Sequence, residues 1–231
     1  MTKTATRTAL ITGATRGIGR EVARQLKAAG FEIFITGRDP RLLEALQAEL
    51  GCPGLAMDLA EAAAAPRLFA AARAAHGRVD VLVTNAGFNR AKEPVTKVTA
   101  EDLDASYALN LRAPILLSRE ALKDMAARQS GHILNVLSSV VHARMENYSV
   151  YSAMKCALHG FTGCLIKEAR QVGVKVTGVY PGGVDTTFRP NARPDYLRPE
   201  SAARMIVDCI TAPADVVVHA LTFRPLVETN F

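Results

Sequence analysis

Tyr151 and Lys155 stand four residues apart in Tyr151-Ser152-Ala153-Met154-Lys155. On a helix, positions i and i+4 share a face, so a phenol and an ammonium so spaced can enter one cleft together. A phenol titrates near 10 in water and is a poor proton donor and acceptor at neutral pH. A neighbouring ammonium favours the phenolate and brings it towards the working range, which suits the pair to general acid–base chemistry. Upstream, Ser138 closes an apolar run at an end where a hydroxyl can meet the same ligand. Asn110 interrupts a helical pattern, Ala108-Leu109-Asn110-Leu111, where a buried amide could bridge a helix kink to water.

A second set of residues suits phosphate. Thr12-Gly13-Ala14-Thr15-Arg16-Gly17-Ile18-Gly19 lies between an apolar run and an amphipathic helix. Glycines there let the backbone turn tightly and approach a pyrophosphate, while the helix N-terminus offers N–H groups and a partial positive charge. The spacing differs from G-x-G-x-x-G and lacks the Gly-Lys-Ser/Thr of a P-loop. The end of the second strand should select the dinucleotide, since an acidic residue there would accept from the ribose 2′-OH of NAD. This chain has Thr36-Gly37-Arg38, with Arg16 in the glycine turn. Two guanidiniums suit a 2′-phosphate, each charge-assisted hydrogen bond contributing about 1.5–3 kcal/mol. Asp39 as the ribose acceptor is the competing reading. We expect NADP(H) to be preferred over NAD(H).

These residues need a frame. Apolar runs rich in Val, Ile and Leu occupy 8–12, 32–36, 54–57, 79–84, 132–137, 175–180 and 216–221. They alternate with helical patterns over 17–29, 40–50, 61–75, 102–127, 147–171 and 199–211. Continuous apolar strands alternating with helices predict right-handed βαβ crossovers and a doubly wound parallel sheet, read here as one domain over 1–231. Ligands bind outside the carboxyl ends of such strands, so the irregular segments 87–99 and 182–198 are expected site walls.

Composition excludes several classes. The chain has 231 residues, 49% apolar and 22% charged, as in an ordinary globular α/β protein. No window approaches 18 uninterrupted apolar residues, so no membrane-spanning helix is expected. The first residues lack the apolar core of a signal peptide, and the expected location is the cytoplasm. The net charge is +6, but its 28 basic residues are spread along the chain without a run, which argues against a nucleic-acid partner. Cys52, Cys156, Cys164 and Cys209 are scattered without metal-ligand spacing, so plain thiols and no metal are expected.

Taken in order, the motifs resemble the short-chain dehydrogenase/reductase family over nearly the whole chain. They are Thr12-Gly13-x-x-x-Gly17-x-Gly19, Asp58, Asn85-Ala86-Gly87, Asn110, Ser138, Tyr151-x-x-x-Lys155 and Pro181-Gly182-x-Val184-x-Thr186. The resemblance implies an α/β Rossmann-type three-layer sandwich with about seven mainly parallel strands, and nicotinamide-dependent carbonyl/alcohol chemistry. Tyr151 would be the general acid or base and Lys155 would hold the nicotinamide ribose. Ser138 would bind the substrate oxygen, and Asn110 would anchor a water leading from Lys155 to solvent. Gly13, Thr15, Arg16, Gly17, Ile18 and Gly19 would hold the diphosphate, with Arg38 beyond them. Asp58 and Leu59 would meet adenine, and Asn85, Ala86 and Gly87 the adenosine ribose. Pro181 and Gly182 would also bind the cofactor, and Val184 and Thr186 would receive the carboxamide.

Thr84 stands where many relatives carry an asparagine, and the segment after Thr186 is shorter than their usual lid. Substrate contacts are expected from Ser138, Val140, Met145 and Phe188, with Arg90, Arg144, His142 and Tyr196 as further candidates. The pattern is similar to 3-oxoacyl-thioester and general carbonyl reductases. The alternative is a non-catalytic NADP(H)-binding redox sensor. Relatives commonly pair two long helices, here 102–127 and 147–171, so a homo-oligomer is expected, tetramer over dimer.

Overall fold

In the computed structural model, which describes residues 6–188 and 191–229, alternate residues of β1 (Thr8–Thr12) feed two different cores. Ala9 and Ile11 face one, Leu10 the other, and all three are fully buried. That two-sided burial is why the strand is apolar without alternation. The same holds for β2 (Glu32–Gly37), where Ile33 and Ile35 oppose Phe34, and for β4 (Val81–Thr84), where Val81 and Val83 oppose Leu82. With β3 (Gly54–Ala56), β5 (His132–Val136), β6 (Lys175–Pro181) and β7 (Ala220–Phe223), they form one parallel sheet in the order β3-β2-β1-β4-β5-β6-β7.

One face carries α1 (Gly17–Ala28), α2 (Pro40–Leu50) and α7 (Pro199–Ile210), through residues such as Val22, Leu43 and Ile206. The other carries α3 (Ala64–His76), α5 (Ala113–Ala126) and α6 (Ser149–Gln171), through Leu68, Leu117 and Leu165. Each fully buried Leu or Ile contributes about 1.5–3 kcal/mol, so packing on the sheet, not helix propensity, holds the layers together. Strand order reverses between β1 and β4, which opens a crevice at their carboxyl ends. This is the Rossmann-type three-layer architecture expected. Among the described residues no helix is long and apolar enough to cross a membrane.

Most element ends fall within about three residues of expectation, and two features differ more. The strand expected at 216–221 forms at Ala220–Phe223, because β6 sets its register, pairing Gly178 with Ala220 and Pro181 with Phe223. The valine run before it gives carbonyls to side chains instead: Lys175 Nζ donates to Val216 O at 2.7 Å and Thr177 Oγ1 to Val218 O at 2.6 Å. The single helix expected at 102–127 is three pieces: α4 (Ala100–Tyr107), a π turn Ala108–Arg112, and α5. Pro114 has no N–H to give the carbonyl of Asn110 four residues earlier, so the ladder must change there.

His132 opens β5 in the middle of the sheet, 3% exposed, with Nε2 2.8 Å from Thr177 Oγ1. Burial, aided by the charges of Lys175 and Arg7, pushes its imidazole down to about 3. The unfolded chain would titrate this group near 6.5 and so binds a proton that the native state refuses between those values. Stability from this residue is therefore present above about pH 6.5 and lost as pH falls towards 3. Urea unfolding at a series of pH values should show His132→Gln losing less stability across that window than wild type. Parallel curves would contradict it.

Candidate active site

The hydroxyl of Thr12, at the end of β1, ties the crevice together. Its oxygen accepts from the backbone N–H of Asn85 (2.9 Å) and Ala86 (3.1 Å) and donates to Val83 O. Asn85 Nδ2 returns to the carbonyls of Thr12 (3.0 Å) and Gly13 (3.2 Å). The ends of β1 and β4 are thereby fixed beside the glycine turn. Gly13 and Gly17 adopt positive φ (65° and 54°), which only glycine enters freely. A Cβ on Gly19 would lie 2.3 Å from Gly13 O, so α1 starts against the turn only if this residue has no side chain. The first turn of α1 has no side-chain cap and no acidic residue. Its N–H groups and positive dipole end remain available to an anion.

Gly13, Thr15, Arg16, Gly17 and Ile18 border a cavity of about 370 Å³, and Arg38 borders the same cavity beyond Gly37. Gly19 lies one layer behind. Arg16 and Arg38 are both exposed and make no hydrogen bond or ion pair with any described residue. Asp39, the competing ribose acceptor, is occupied elsewhere: its Oδ1 caps α2, accepting from Arg41 N (2.9 Å) and Leu42 N (3.3 Å). It is absent from the cavity wall. Asp58 and Leu59 line the same end, with Asp58 Oδ1 accepting from Ala60 N at 2.9 Å. A nucleotide diphosphate fits these donors and charges.

At the far end, α6 brings Tyr151 and Lys155 to the cavity on one helix face. Lys155 Nζ is buried, donates to Val136 O at 2.8 Å, and lies 5.7 Å from the centre of the Tyr151 ring. Burial pushes its ammonium down to about 8. A four-member polar network holds α6 to the sheet. Asn135 Oδ1 accepts from Thr84 Oγ1 (2.7 Å) and Ser118 Oγ (3.3 Å), while its Nδ2 donates to Thr162 Oγ1 (3.0 Å). The amide missing at Thr84 is thus supplied by the neighbouring strand.

Ser138 caps the turn Ser139–Val141, with Val140 N donating to its Oγ at 3.3 Å, and it borders the cavity beside Tyr151. Asn110, fully buried in the π turn, stands behind Gly87: Oδ1 accepts from Phe88 N (3.1 Å), and Nδ2 donates to Phe88 O and Ser106 Oγ (both 3.0 Å). A Cβ on Gly87 would lie 2.8 Å from that Oδ1 and 3.8 Å from Lys155 Nζ, so a glycine alone lets the two approach. Asn85, Ala86 and Gly87 form the wall between the two ends.

Pro181, Gly182, Val184 and Thr186 form the opposite wall, and Thr186 Cγ2 packs where a Gly17 Cβ would be, at 3.1 Å. Val140, Met145 and Phe188 line the end beyond Tyr151, with the Phe188 and Tyr151 ring centres 5.8 Å apart. Four further substrate candidates do not reach it. Arg90 turns to Asp102 (3.9 Å) and Arg144 to Cys156, while His142 packs on Tyr180 and Tyr196 packs under Gly183. Loop side chains point where local packing sends them, and spacing carries no signal for it. Tyr148, Arg224 and Glu228 also line the cavity, and the sequence reading missed all three. The last two come from beyond β7, at no fixed distance from any motif.

Residues 7–197 match the family model described as short chain dehydrogenase. An uncharacterised short-chain type dehydrogenase/reductase of Sinorhizobium fredii is 31% identical over 94% of this chain and 90% of its own. A metagenomic short-chain oxidoreductase solved in complex with NADP is 32% identical, with a TM-score of 0.85 over 95% of this chain and 97% of that one. A 3-ketoacyl-(acyl-carrier-protein) reductase from Brucella melitensis, complexed with NADH, is 27% identical, with a TM-score of 0.85 over 94% and 96%. The glycine turn and six of the seven strands lie within the matched residues, and the chain belongs to the short-chain dehydrogenase/reductase family of oxidoreductases.

Proposed function

We propose that the protein is an NADP(H)-dependent oxidoreductase that interconverts a carbonyl and a secondary alcohol, with Asn110, Ser138, Tyr151 and Lys155 as its catalytic set. One observation carries the reading: a single cavity has the phenol, ammonium and serine hydroxyl at one end and, at the other, two arginines with no partner among the described residues. When bound, the nicotinamide cofactor supplies or accepts the hydride. In reduction the Tyr151 hydroxyl gives its proton to the oxygen that becomes the alkoxide, and in oxidation it takes the proton back. Ser138 Oγ hydrogen-bonds the same oxygen and turns the carbonyl carbon towards the cofactor. Lys155 spends one N–H on Val136 O and keeps two for the ribose hydroxyls, and with its pKa about 8 it is mostly charged at neutral pH. Asn110, whose carbonyl Pro114 cannot serve with an i+4 N–H, would anchor a water between Lys155 and solvent.

The preference for NADP(H) rests on Arg16 and Arg38 and on the engagement of Asp39 in the α2 cap. The NADP complex of the metagenomic relative agrees with it, and the NADH complex of the Brucella reductase shows that the fold accepts either. The substrate wall of Val140, Met145 and Phe188 favours a ketone with apolar flanks. Arg90 and Arg144, which would have suited a carrier phosphate, lie off the cavity wall. We infer a homo-oligomer, tetramer over dimer, through α4–α5 and α6, where Gly160 and Gly163 have open space before them.

Initial rates of NADPH and NADH oxidation against simple ketones, diketones, quinones and an acetoacetyl thioester test this reading. Turnover of ketones or diketones with NADPH preferred is the expected result. Turnover of the thioester alone would assign a 3-oxoacyl-thioester reductase instead.

A further inference from the structure

After β7 the chain turns back onto the cleft. Arg224 Nε donates to Glu228 Oε2 at 2.9 Å, and each of these side chains is only 11% exposed. The pair is not part of a hydrophobic core. It lies against the backbone of Gly182 and Gly183 and borders the same cavity as Tyr151. The Gly183 N–H donates to Glu228 Oε1 at 3.0 Å, and the Gly182 N–H donates to Phe223 O at 2.8 Å. A Cβ on Gly182 would fall 2.5 Å from Glu228 Oε2 and 2.9 Å from Arg224 Cγ. One on Gly183 would fall 2.2 Å from the Tyr196 ring and 2.9 Å from Glu228 Oε1. Both faces of the double glycine are therefore gripped.

A nearly buried ion pair is a poor device for stabilising a fold, since its desolvation cost can cancel its attraction. Its geometric effect is definite. Arg224 fixes the direction of the Glu228 carboxylate, and that carboxylate fixes a backbone N–H of the loop facing Tyr151. We infer that Glu228, oriented by Arg224, is a positioning residue: it holds the Gly182–Gly183 backbone in the shape in which loop 181–186 receives the nicotinamide end of the cofactor. The inference rests on the cofactor reading above.

The test uses the full chain with Glu228→Ala and Glu228→Gln. Each is titrated with whichever of NADPH and NADH the wild type binds more tightly, and with the matching adenosine half, 2′,5′-ADP or ADP. Alanine removes the acceptor and should weaken the dinucleotide about tenfold, as expected for leaving a buried N–H unsatisfied. Glutamine keeps an acceptor oxygen and should weaken it by less than about threefold. The adenosine half, bound at the far end, should be unaffected by either change. Dinucleotide affinity unchanged in the alanine variant would overturn the inference. So would an equal loss for both ligands, because that would be a general loss of structure. A wild-type chain that binds neither dinucleotide would overturn the cofactor reading first and this inference with it.

Discussion

Tyr151→Phe is expected to lower kcat for carbonyl reduction by about 10²–10⁴-fold, the range over which a positioned acid–base group acts. The ring stays, so its packing against Phe188 and the shape of the cavity stay with it. Only the hydroxyl is lost, and with it the group that the proposed mechanism uses to move a proton at the substrate oxygen. NADPH affinity, set by contacts along the rest of the cleft, should change less than about threefold, because the interaction removed is one made in the transition state. Steady-state rates together with a fluorescence titration of NADPH separate the two effects. Near-normal turnover would remove Tyr151 from the chemistry. A parallel loss of NADPH affinity would recast it as a cofactor-binding residue.

The second large effect concerns cofactor choice. Replacing Arg16 and Arg38 together with alanine should reduce the ratio of kcat/KM for NADPH to that for NADH by on the order of a hundredfold or more. Among the described residues neither guanidinium has a partner, so no carboxylate there is stranded by its removal, and both are exposed enough that the fold should tolerate the change. NADH kinetics should stay near wild type, since no 2′-phosphate is involved. Raising the salt concentration should weaken NADPH binding in wild type more than in the double variant, because screening acts on the charges that remain. If the ratio stays constant, the arginines are surface charges and the ribose is read elsewhere.

How much of this was legible in the sequence depended on what fixes each feature. β1, β2 and β4 were readable because both faces of a parallel strand are buried, leaving an apolar run with no solvent-facing interruption. The glycine turn was readable because sterics there exclude a Cβ, as at Gly19 and Gly13. Tyr151 and Lys155 were readable because helical spacing alone puts them on one face. The start of β7 was not, since pairing with β6 chooses its register and the Val216–Val218 segment is equally β-like. The break in the long helix could be suspected at Asn110, but its length, one π turn, is set by Pro114 and tertiary packing. Arg90, Arg144 and His142 show the limit for loops: their residue types suited a substrate, but their directions were decided by Asp102, Cys156 and Tyr180. Arg224 and Glu228 were beyond reach, because contact across β7 leaves no mark in local spacing.

Stereospecific deuterium transfer tests the central claim most directly. The protein is mixed with NADPH bearing deuterium on one or the other face of its nicotinamide C4, together with a ketone that it turns over, and the product alcohol is analysed by mass. The account predicts one deuterium on the carbinol carbon from one of the two labelled cofactors and none from the other. Cofactor bound at micromolar concentration, with no label transferred to any carbonyl compound, would contradict catalysis and leave a redox sensor in its place.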